Sequence, residues 1–382
     1  MNMLLLSYSD FPLGDASAVR QEAFLNVFKK IGYNPLIVCM NKKSEFMKIN
    51  EYKENKYISL RYSNFKKINK VKNYFFYKKN LKKIINDFKQ QIDLIFVEDI
   101  PLPAWFYLKK YCKKNKVTLI HDSVEWYSAA EFRLRYLSYL FISKNIVNRL
   151  IIDKSVKVFA ISNYLKEHYT KKNISCVRIP VIFDMEKEIE KNISSDKIIY
   201  IYAGSPGKKD NLDLILKGFS LLETSELNKI QIQLFGVNDE QAKQLVSECD
   251  YNKLRVCLKC FGRVSHAKVL EAYKKANYSI LLRNDKMRYA QAGFPTKVVE
   301  SLMCSTPIIT NYTSDLQIYL TDKKNAVIVE NYSSSSFSDA VKKSMLISTE
   351  NQKKMQKNCY QTAIKNFDYN NYVEIIKDFI NE

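Results

Sequence analysis

The hydrophobic and polar positions of this chain alternate between short apolar runs and segments with a helical period. The opening "MNMLLLSYS" predicts a buried strand, and Pro and Gly mark "DFPLGDAS" as a loop. In "AVRQEAFLNVFKKIG" the apolar residues recur with a helical period that ends at Gly32, and "NPLIVCMN" predicts the next strand. The order strand, loop, helix, strand indicates a βαβ opening.

The same alternation continues and then restarts after a polar interruption. The runs "IDLIFVED", "VTLIHD" and "VKVFAIS" predict further strands, so the first half is expected to be a parallel α/β domain with helices on both faces. The charged stretch "VIFDMEKEIEKNISSDK" predicts a linker, and strands and helices resume at "KIIYIYAGS". We therefore predict two α/β domains, residues 1–182 and 195–366, with ligands at the carboxyl ends of their strands.

Length and composition agree with two packed domains. The chain has 382 residues and 46% hydrophobic residues. The N-terminal apolar run is too short for a signal peptide, and no window resembles a membrane-spanning helix, so we expect a cytoplasmic protein. Of the eight cysteines, only "CLKC" at 257–260 has a metal-like spacing, and that run also fits a strand; no metal site is predicted.

The net charge of +21 is unevenly distributed. Residues 42–89 contain fifteen Lys or Arg and four Asp or Glu, interleaved with aromatic residues. Three interpretations remain open: a nucleic-acid surface, an anionic membrane surface, or a solvated face that reflects a Lys-rich composition. The absence of any nucleic-acid module signature disfavours the first.

The segment "AGFPTKVVES" combines features of an anion site at a helix start. Pro295 and Thr296 are placed where a helix begins, and free N–H groups there attract anions. Lys297 adds a positive charge, and Glu300 lies one turn further on the same side. The pair is suited to the two ends of a phosphosugar, with Glu300 accepting hydrogen bonds from ribose hydroxyls. The alternative is an ordinary i, i+3 ion pair.

A second segment, "YAGSPGKKDNLDLI", predicts a strand, a glycine-containing turn and a helix. Gly204 and Ser205 permit close approach of backbone to a ligand, and Lys208 and Lys209 are placed for a diphosphate. The segment matches neither a Walker loop nor a dinucleotide fingerprint, so a plain basic turn is the alternative.

These blocks together resemble the retaining glycosyltransferases of family four, which have the GT-B fold. The resemblance includes "YAGSPGKKDNLD", "FGRVSHAKVLEAYKKANYSILLR", "GFPTKVVESLMCSTPIITN" and, in the first half, "SYSDFPLGDASAVRQEAFLNVFKKIGYNPLIV" and "FAISNYLKEHY". It implies two Rossmann-like domains facing a central cleft, with the C-terminal helix of about 367–382 returning to the N-terminal domain. It also implies an acceptor-binding first domain and a nucleotide-sugar-binding second domain.

The resemblance assigns roles to individual residues. Lys208 or Lys209 resembles the family's phosphate-stabilising base, and His121 and Asp122 resemble residues near the transferred sugar; these four are the catalytic candidates. Glu300 resembles the ribose-binding Glu. The donor-binding candidates are Gly14, Gly204, Ser205, Gly262, Arg263, Val264, Arg283, Gly293, Phe294, Pro295, Thr296, Lys297 and Glu300.

One position departs from the family pattern. The family places a Glu eight residues before the ribose-binding Glu, and this chain has Ala292 there. The donor sugar is therefore held differently, or activity is altered. No D-x-D motif and no carboxylate nucleophile stands out, so we expect a metal-independent, front-side transfer without a cofactor.

The resemblance predicts a glycosyltransferase of surface-polysaccharide synthesis. Its partners would be a nucleotide-sugar donor, a glycan or lipid-linked glycan acceptor, and the anionic inner face of the cell membrane, with no nucleic acid. Two alternatives remain: a nucleotide-sugar epimerase of the same fold, and a non-catalytic basic protein that binds RNA or membranes.

Overall fold

A computed structural model describes residues 1–12, 16–61, 67–185, 191, 195–205 and 209–382. Of residues 16 and 67–72 it describes the backbone only. The described chain divides into two compact units, Met1–Asp184 with Asp368–Glu382, and Met185–Phe367. The chain therefore returns to the first unit after completing the second. Eight of the 17 residues of the predicted linker, 186–190 and 192–194, lie outside the described residues.

The strands belong to two sheets, one in each unit. They are β1 Asn2–Ser7, β2 Asn34–Cys39, β3 Ile49–Tyr52, β4 Asn55–Ser59, β5 Leu94–Asp99, β6 Thr118–Ser123, β7 Lys157–Ala160, β8 Cys176–Arg178, β9 Ile198–Ala203, β10 Ile230–Phe235, β11 Leu258–Gly262, β12 Tyr278–Leu281, β13 Ile308–Thr310 and β14 Ala326–Ile328.

The helices connect these strands. They are α1 Ala16–Lys30, α2 Lys67–Asp87, α3 Leu102–Asn115, α4 Tyr139–Ile146, α5 Asn163–Thr170, α6 Leu212–Ser220, α7 Thr224–Leu227, α8 Asp239–Lys243, α9 Glu248–Leu254, α10 His266–Lys275, α11 Arg288–Ala292, α12 Thr296–Met303, α13 Leu316–Tyr319, α14 Ser334–Met345, α15 Thr349–Phe367 and α16 Val373–Asn381. Short 3₁₀ turns occupy Ala129–Glu131, Arg135–Leu137 and Tyr369–Tyr372, and Val147–Ile151 forms a π turn.

Among the described residues, the sheet of the first unit has the order β3-β4-β2-β1-β5-β6-β7-β8, and that of the second has the order β11-β10-β9-β12-β13-β14. Only the β3–β4 pair is antiparallel in this part of the chain. The α/β class with two parallel sheets is thus confirmed.

Each sheet has a point, here called its switch point, where the direction of strand addition reverses. In the second sheet the chain adds β10 and β11 on one side of β9 and then returns to place β12 on the other side. In the first sheet the same reversal lies between β1 and β5. The loops that leave two such strands diverge to opposite faces of the sheet, which opens a crevice at their carboxyl ends.

The C-terminal helix packs in the core of the first unit, as the resemblance implies. Phe24 of α1 lies against Phe96 and Phe159, with ring centroids 4.9 and 5.6 Å apart. Phe379 of α16 lies 5.7 Å from Phe159, and the Lys157 ammonium donates a hydrogen bond to the Phe379 carbonyl at 2.6 Å. Burial of these aromatic side chains holds the last helix to the first sheet.

Some elements differ from the sequence-based prediction. The β3–β4 hairpin within the basic stretch was not predicted, because its strands are only four and five residues long and each contains polar and charged residues. Strand β11 ends at Gly262, so Arg263 lies beyond the strand rather than in it. After β14 the structure has three helices, α14 to α16, whereas the sequence pattern predicts two.

Candidate functional site

Three neighbouring strands of the second sheet end in glycine. Gly204 follows β9, Gly236 follows β10 and Gly262 ends β11. Gly236 and Gly262 have φ angles of 87° and 59°, which glycine adopts without strain. A Cβ on Gly236 would lie 2.5 Å from the carbonyl oxygen of Gly204. At this edge of the sheet, here called the glycine edge, the absence of a side chain on Gly236 thus lets two backbone segments approach each other closely. Gly236 was not among the predicted site residues.

Asp210 joins the two sides of the switch point. It follows β9, whereas Arg283 follows β12, and the guanidinium Nε and Nη2 of Arg283 both lie 3.0 Å from Asp210 Oδ1. The second carboxylate oxygen pairs with the ammonium of Lys297 and lies 3.1 Å from the Tyr202 hydroxyl. Asp210 is only 5% exposed. One buried carboxylate thus fixes the positions of two cations.

The electrostatics of this cluster favour a bound anion. Burial alone would raise the pKa of Asp210, but attraction by Lys297 and then by Arg283 holds it well below its usual range. Lys209 lies beside the cluster, with its ammonium 5.9 Å from the centre of the Tyr289 ring. Arg283 and Lys297 together exceed the charge of the one carboxylate that they share, and this surplus positive charge is suited to a diphosphate.

Lys297 is confined by its neighbours. Its ammonium lies 5.0 Å from the centre of the Tyr202 ring. A Cβ on Gly204 would come within 2.6 Å of Lys297 Cε, so the glycine leaves room for the end of the Lys297 side chain in its present position. Pro295, the residue before the first turn of α12, has no side-chain acceptor to cap the N–H groups of that turn. The start of α12 therefore offers backbone donors next to a fixed ammonium, as predicted for Thr296 and Lys297.

Glu300 lies one turn into α12 and is 7% exposed. Its Oε1 is 2.9 Å from Nε2 of His266, which is the first residue of α10 after the N-cap Ser265. The hydrogen bond with Glu300 raises the pKa of His266, although partial burial opposes that shift. His266 thus positions Glu300, and it was not among the predicted site residues.

The ordinary i, i+3 ion pair between Lys297 and Glu300 is replaced by other contacts. Lys297 pairs with Asp210, and Glu300 pairs with His266. Two oppositely charged side chains one turn apart are therefore directed to different partners on different elements. Such an arrangement holds a cation and a carboxylate ready for two parts of one ligand.

Other predicted donor-binding positions have varied surroundings. Ser205 and Arg263 are exposed, and the Ser205 carbonyl lies 3.1 Å from the Tyr202 hydroxyl. Val264 is half-buried and packs against the sheet. Gly14 and Lys208 lie outside the described residues, so their predicted roles stay predictions.

Phe294 requires a correction. Its side chain is 6% exposed and packs against Tyr319 and Phe367, with centroids 5.7 and 5.8 Å away. Its ring is therefore part of the core rather than a donor contact. Gly293 is buried and has a φ of −86°, which other residues also adopt, so its backbone angle does not require glycine. Ala292 is fully buried in α11.

His121, one of the predicted catalytic residues, belongs to the predicted strand β6. Strand β6 continues to Ser123, so His121 lies inside it and is fully buried. Its Nδ1 is 3.1 Å from the Val97 carbonyl, and its ring meets Trp105 edge-on at 5.2 Å. Burial, and then the charge of Lys144, lowers the pKa of His121 to about 3. The imidazole is therefore neutral near pH 7 and has a packing role in this structure.

Asp122 forms a buried ion pair, and its predicted catalytic role stays a prediction. Its two carboxylate oxygens accept hydrogen bonds from Nε and Nη2 of Arg20, both at 2.8 Å. The same guanidinium donates to the carbonyls of Ile179 and Pro180. Asp122 is 1% exposed and Arg20 is 4% exposed. This bidentate pair ties α1 to β6 and to the chain that follows β8.

A second polar cluster lies at the switch point of the first sheet. Glu98 of β5 accepts hydrogen bonds from Ser7 of β1 at 2.8 Å and from Ser17 and Gln21 of α1. Burial, opposed by the bond from Ser17, raises the pKa of Glu98 to about 7. Glu98 was not among the predicted site residues, because "FVED" is typical of the end of an ordinary strand.

The raised pKa of Glu98 predicts a loss of stability with rising pH. The folded protein binds this proton more tightly than the unfolded chain, so stability falls as pH rises from about 4.5 to about 7. The isosteric change Glu98→Gln should remove that part of the pH dependence and stabilise the protein at pH 8 by on the order of 1–2 kcal/mol. Urea unfolding at pH 5 and pH 8 measures this. An unchanged pH dependence in the variant would refute the assignment.

Asp210 and His266 were missed because their partners are distant in the chain. The partner of Asp210 is 87 residues away and that of His266 is 34 residues away. In the local sequence, Asp210 is only a single acidic residue between the Lys pair and the next helix, and this does not indicate its distant partners.

Within the part of the chain that the structure describes, no helix has the length and apolar character needed to cross a membrane.

Comparison with protein families gives one match. Residues 184–363 match the family described as Glycosyl transferases group 1. That range covers nearly all of the second unit, including the glycine edge, Asp210 and α12. The similarity to this family thus lies in the second unit. Comparison with curated protein sequences gives no significant match.

Solved glycosyltransferase structures share the fold along the whole chain. Sucrose-phosphate synthase from Thermosynechococcus elongatus superposes with a TM-score of 0.78 at 12% identity, covering 100% of this chain and 98% of that one. Anabaena HepE, solved with UDP and glucose, gives 0.70 at 13% identity and covers 100% of both chains. WaaG, a glycosyltransferase involved in lipopolysaccharide biosynthesis, gives 0.65 at 14% identity and covers 99% of both. The predicted GT-B fold is confirmed.

Proposed function

We propose that this chain, whose second unit is similar to the glycosyl transferases group 1 family, transfers a sugar from a nucleoside-diphosphate sugar to a glycan acceptor. The observation that carries the proposal is the cluster at the switch point of the second sheet. There Asp210 fixes Arg283 and Lys297 beside a glycine edge, and Glu300 lies one turn into α12. In this proposal the cations pair with the negative charge of the diphosphate, and Glu300 accepts hydrogen bonds from the hydroxyl groups of the nucleotide sugar.

The donor would bind to the second unit through two groups of contacts. The diphosphate would lie at the Gly204 edge, near Lys209 and Lys297 and the first-turn N–H groups of α12. Glu300, oriented by His266, would accept hydrogen bonds from the ribose hydroxyls. The HepE structures contain UDP or UDP-glucose, which supports a nucleotide-sugar donor for a chain of this fold.

The same cations would serve the chemistry. When the bond between the sugar and the diphosphate breaks, negative charge grows on the leaving phosphate. Fixed cations and helix N–H groups stabilise that charge without rearranging. We propose on this basis a metal-independent reaction that needs no cofactor beyond the donor itself. Retention of configuration by front-side transfer remains part of the proposal and follows from the resemblance.

The acceptor is proposed to be lipid-linked and to belong to a cell-surface polysaccharide. The likeness to WaaG, whose description names lipopolysaccharide biosynthesis, supports this assignment. The basic stretch of residues 42–89 would draw the first unit towards the anionic inner face of the membrane. The protein would thus act in the cytoplasm as a peripheral membrane protein.

Product analysis with a panel of nucleotide sugars and a lipid-linked acceptor extract tests this function. Transfer predicts acceptor-dependent release of nucleoside diphosphate together with a labelled glycan. An epimerase would instead change the sugar without consuming acceptor. Salt-sensitive RNA binding without any nucleotide-sugar turnover would favour a non-catalytic basic protein.

The Lys pair gives a specific prediction. Changing Lys208 and Lys209 together to Ala should lower kcat by about tenfold and change KM less, because the leaving-group charge is greatest in the transition state. The exposed pair Lys323 and Lys324 in the same unit provides a matched control, and its double Ala variant should keep wild-type kcat. Steady-state kinetics with the preferred donor measures both. Wild-type turnover in the first variant would exclude the pair from the mechanism.

A further inference from the structure

A continuous run of large apolar side chains lies exposed on the first unit. Within residues 132–142, here called the apolar loop, Leu134 is 64% exposed, Tyr136 71% and Leu137 79%. Tyr139 and Leu140 follow at 47% and 56%. Scattered exposed leucines are common on soluble proteins, but adjacent ones of this size mark an interaction surface.

The apolar loop is an ordered turn rather than an extended tail. Arg135–Leu137 forms a 3₁₀ turn whose first residue has a φ of 44°, and α4 begins at Tyr139. The Leu137 N–H donates to the Leu134 carbonyl at 2.9 Å, and the rings of Tyr136 and Phe141 meet edge-on at 5.6 Å. The backbone therefore presents the leucines at a fixed turn with their side chains outward.

Helix α2 extends this surface. Tyr139 packs edge-on against Tyr74 at 4.9 Å, so the apolar loop adjoins α2. The next residues of α2, Phe75 and Phe76, are 68% and 42% exposed, whereas Tyr77 is fully buried. The exposed face of α2 then continues with the basic residues Lys78, Lys79, Lys82 and Lys83. Aromatic rings beside lysines are typical of a helix at a membrane interface.

The charge around the apolar loop selects one partner. Residues 132–152 contain two Arg at 133 and 135, Lys144 and Arg149, and no Asp or Glu. Arg133, Arg135 and Arg149 are exposed. A second copy of this chain would bring two basic surfaces together, which costs free energy through like-charge repulsion. In an anionic membrane, by contrast, the lipid phosphates pair with the Arg and Lys side chains, and the leucine side chains enter the apolar region.

We propose that the apolar loop inserts into the headgroup region of an anionic membrane, with Leu134 and Leu137 as its anchor and α2 lying along the surface. This inference deepens the membrane association within the proposed function and rests on it. In this proposal the basic stretch of residues 42–89 supplies charge, and the apolar anchor lies in a separate segment, residues 132–142. Arg133 and Arg135 would reach the lipid phosphates while the leucines enter the acyl boundary.

Vesicle flotation of the full chain tests the proposal. The wild-type protein should float with vesicles containing phosphatidylglycerol and stay behind with pure phosphatidylcholine. Changing Leu134 and Leu137 together to Ser should weaken binding to the anionic vesicles by about tenfold or more without altering the net charge, because two side chains lose their apolar contact. Changing Lys78 and Lys79 to Glu should abolish the preference for anionic lipid.

A matched control is available in the second unit. Leu346 is 86% exposed at the end of α14, and Leu346→Ser should bind vesicles like the wild type. Unchanged flotation of the Leu134/Leu137 variant would overturn the proposal. So would a dimer in sedimentation experiments that this variant dissolves, because the surface would then join two copies.

The two proposals fail in distinguishable ways. Turnover with a short soluble acceptor does not need the membrane, so the Leu134/Leu137 variant should keep it. A variant that floats normally contradicts the anchor, whatever its turnover. A wild-type protein that floats but transfers no sugar from any donor contradicts the enzymatic function and leaves the membrane surface in place.

Discussion

Replacing Asp210 by Ala is expected to destabilise the protein by about 3 kcal/mol. The change leaves the side chains of Lys297 and Arg283 without their shared carboxylate, and removing one partner of a buried ion pair costs far more than the pair itself contributes. The Tyr202 hydroxyl loses an acceptor as well. The measurement is the urea unfolding transition at pH 7, compared with that of the wild type.

A matched acidic residue controls for general charge effects. Glu330 pairs with Lys343 at 2.8 Å on the surface of the same unit, with both side chains more than half exposed. Exposed pairs contribute little, so Glu330→Ala should leave the urea unfolding transition close to that of the wild type. A loss below 1 kcal/mol for Asp210→Ala would contradict the account of this cluster.

The same variant should respond to anions. With Asp210 gone, a bound sulfate or nucleoside diphosphate would neutralise the two cations in its place. Either ligand should therefore raise the unfolding midpoint of Asp210→Ala more than that of the wild type. In the wild type, the depressed pKa of Asp210 means that this stabilisation is present above about pH 4 and is lost as the pH falls further.

Replacing Glu300 by Ala is expected to weaken binding of the donor by about 1.5–3 kcal/mol, or roughly 10- to 150-fold. A hydrogen bond to a charged acceptor is worth that much, and Glu300 is held in one orientation by His266. His266→Ala should give a smaller loss, because the carboxylate remains but is no longer fixed. The fold should survive both changes, since the His266 side chain is 44% exposed.

The fold could be predicted from the sequence because most strands of both sheets correspond to short apolar runs that are recognisable locally. Runs such as "MNMLLLS" and "KIIYIYA" are apolar over their whole length, as strands buried on both faces must be. The anion site at α12 was predicted for the same reason, since Pro295, Lys297 and Glu300 lie within six residues. Local signals therefore sufficed wherever one helix or one turn carries the feature.

Features that depend on distant partners could not be predicted in this way. The role of Asp210 depends on Arg283 and Lys297, which only the return of the chain to β12 and α12 brings near. For Asp122 and Phe294 the resemblance supplied a functional role, whereas their buried partners Arg20 and Phe367 are distant in the chain and were not predicted. A motif position identifies a residue in a family, whereas its surroundings decide what it can contact.

The central claim is that the second unit binds a nucleoside-diphosphate sugar at the switch point of its sheet. Calorimetric titration with the nucleoside diphosphate of the preferred donor tests it most directly, with wild type, Glu300→Ala and the exposed control Glu271→Ala side by side. We predict one binding site in the wild type and the Glu271 variant, and an affinity at least tenfold lower in Glu300→Ala. Equal affinities in all three proteins would contradict the claim.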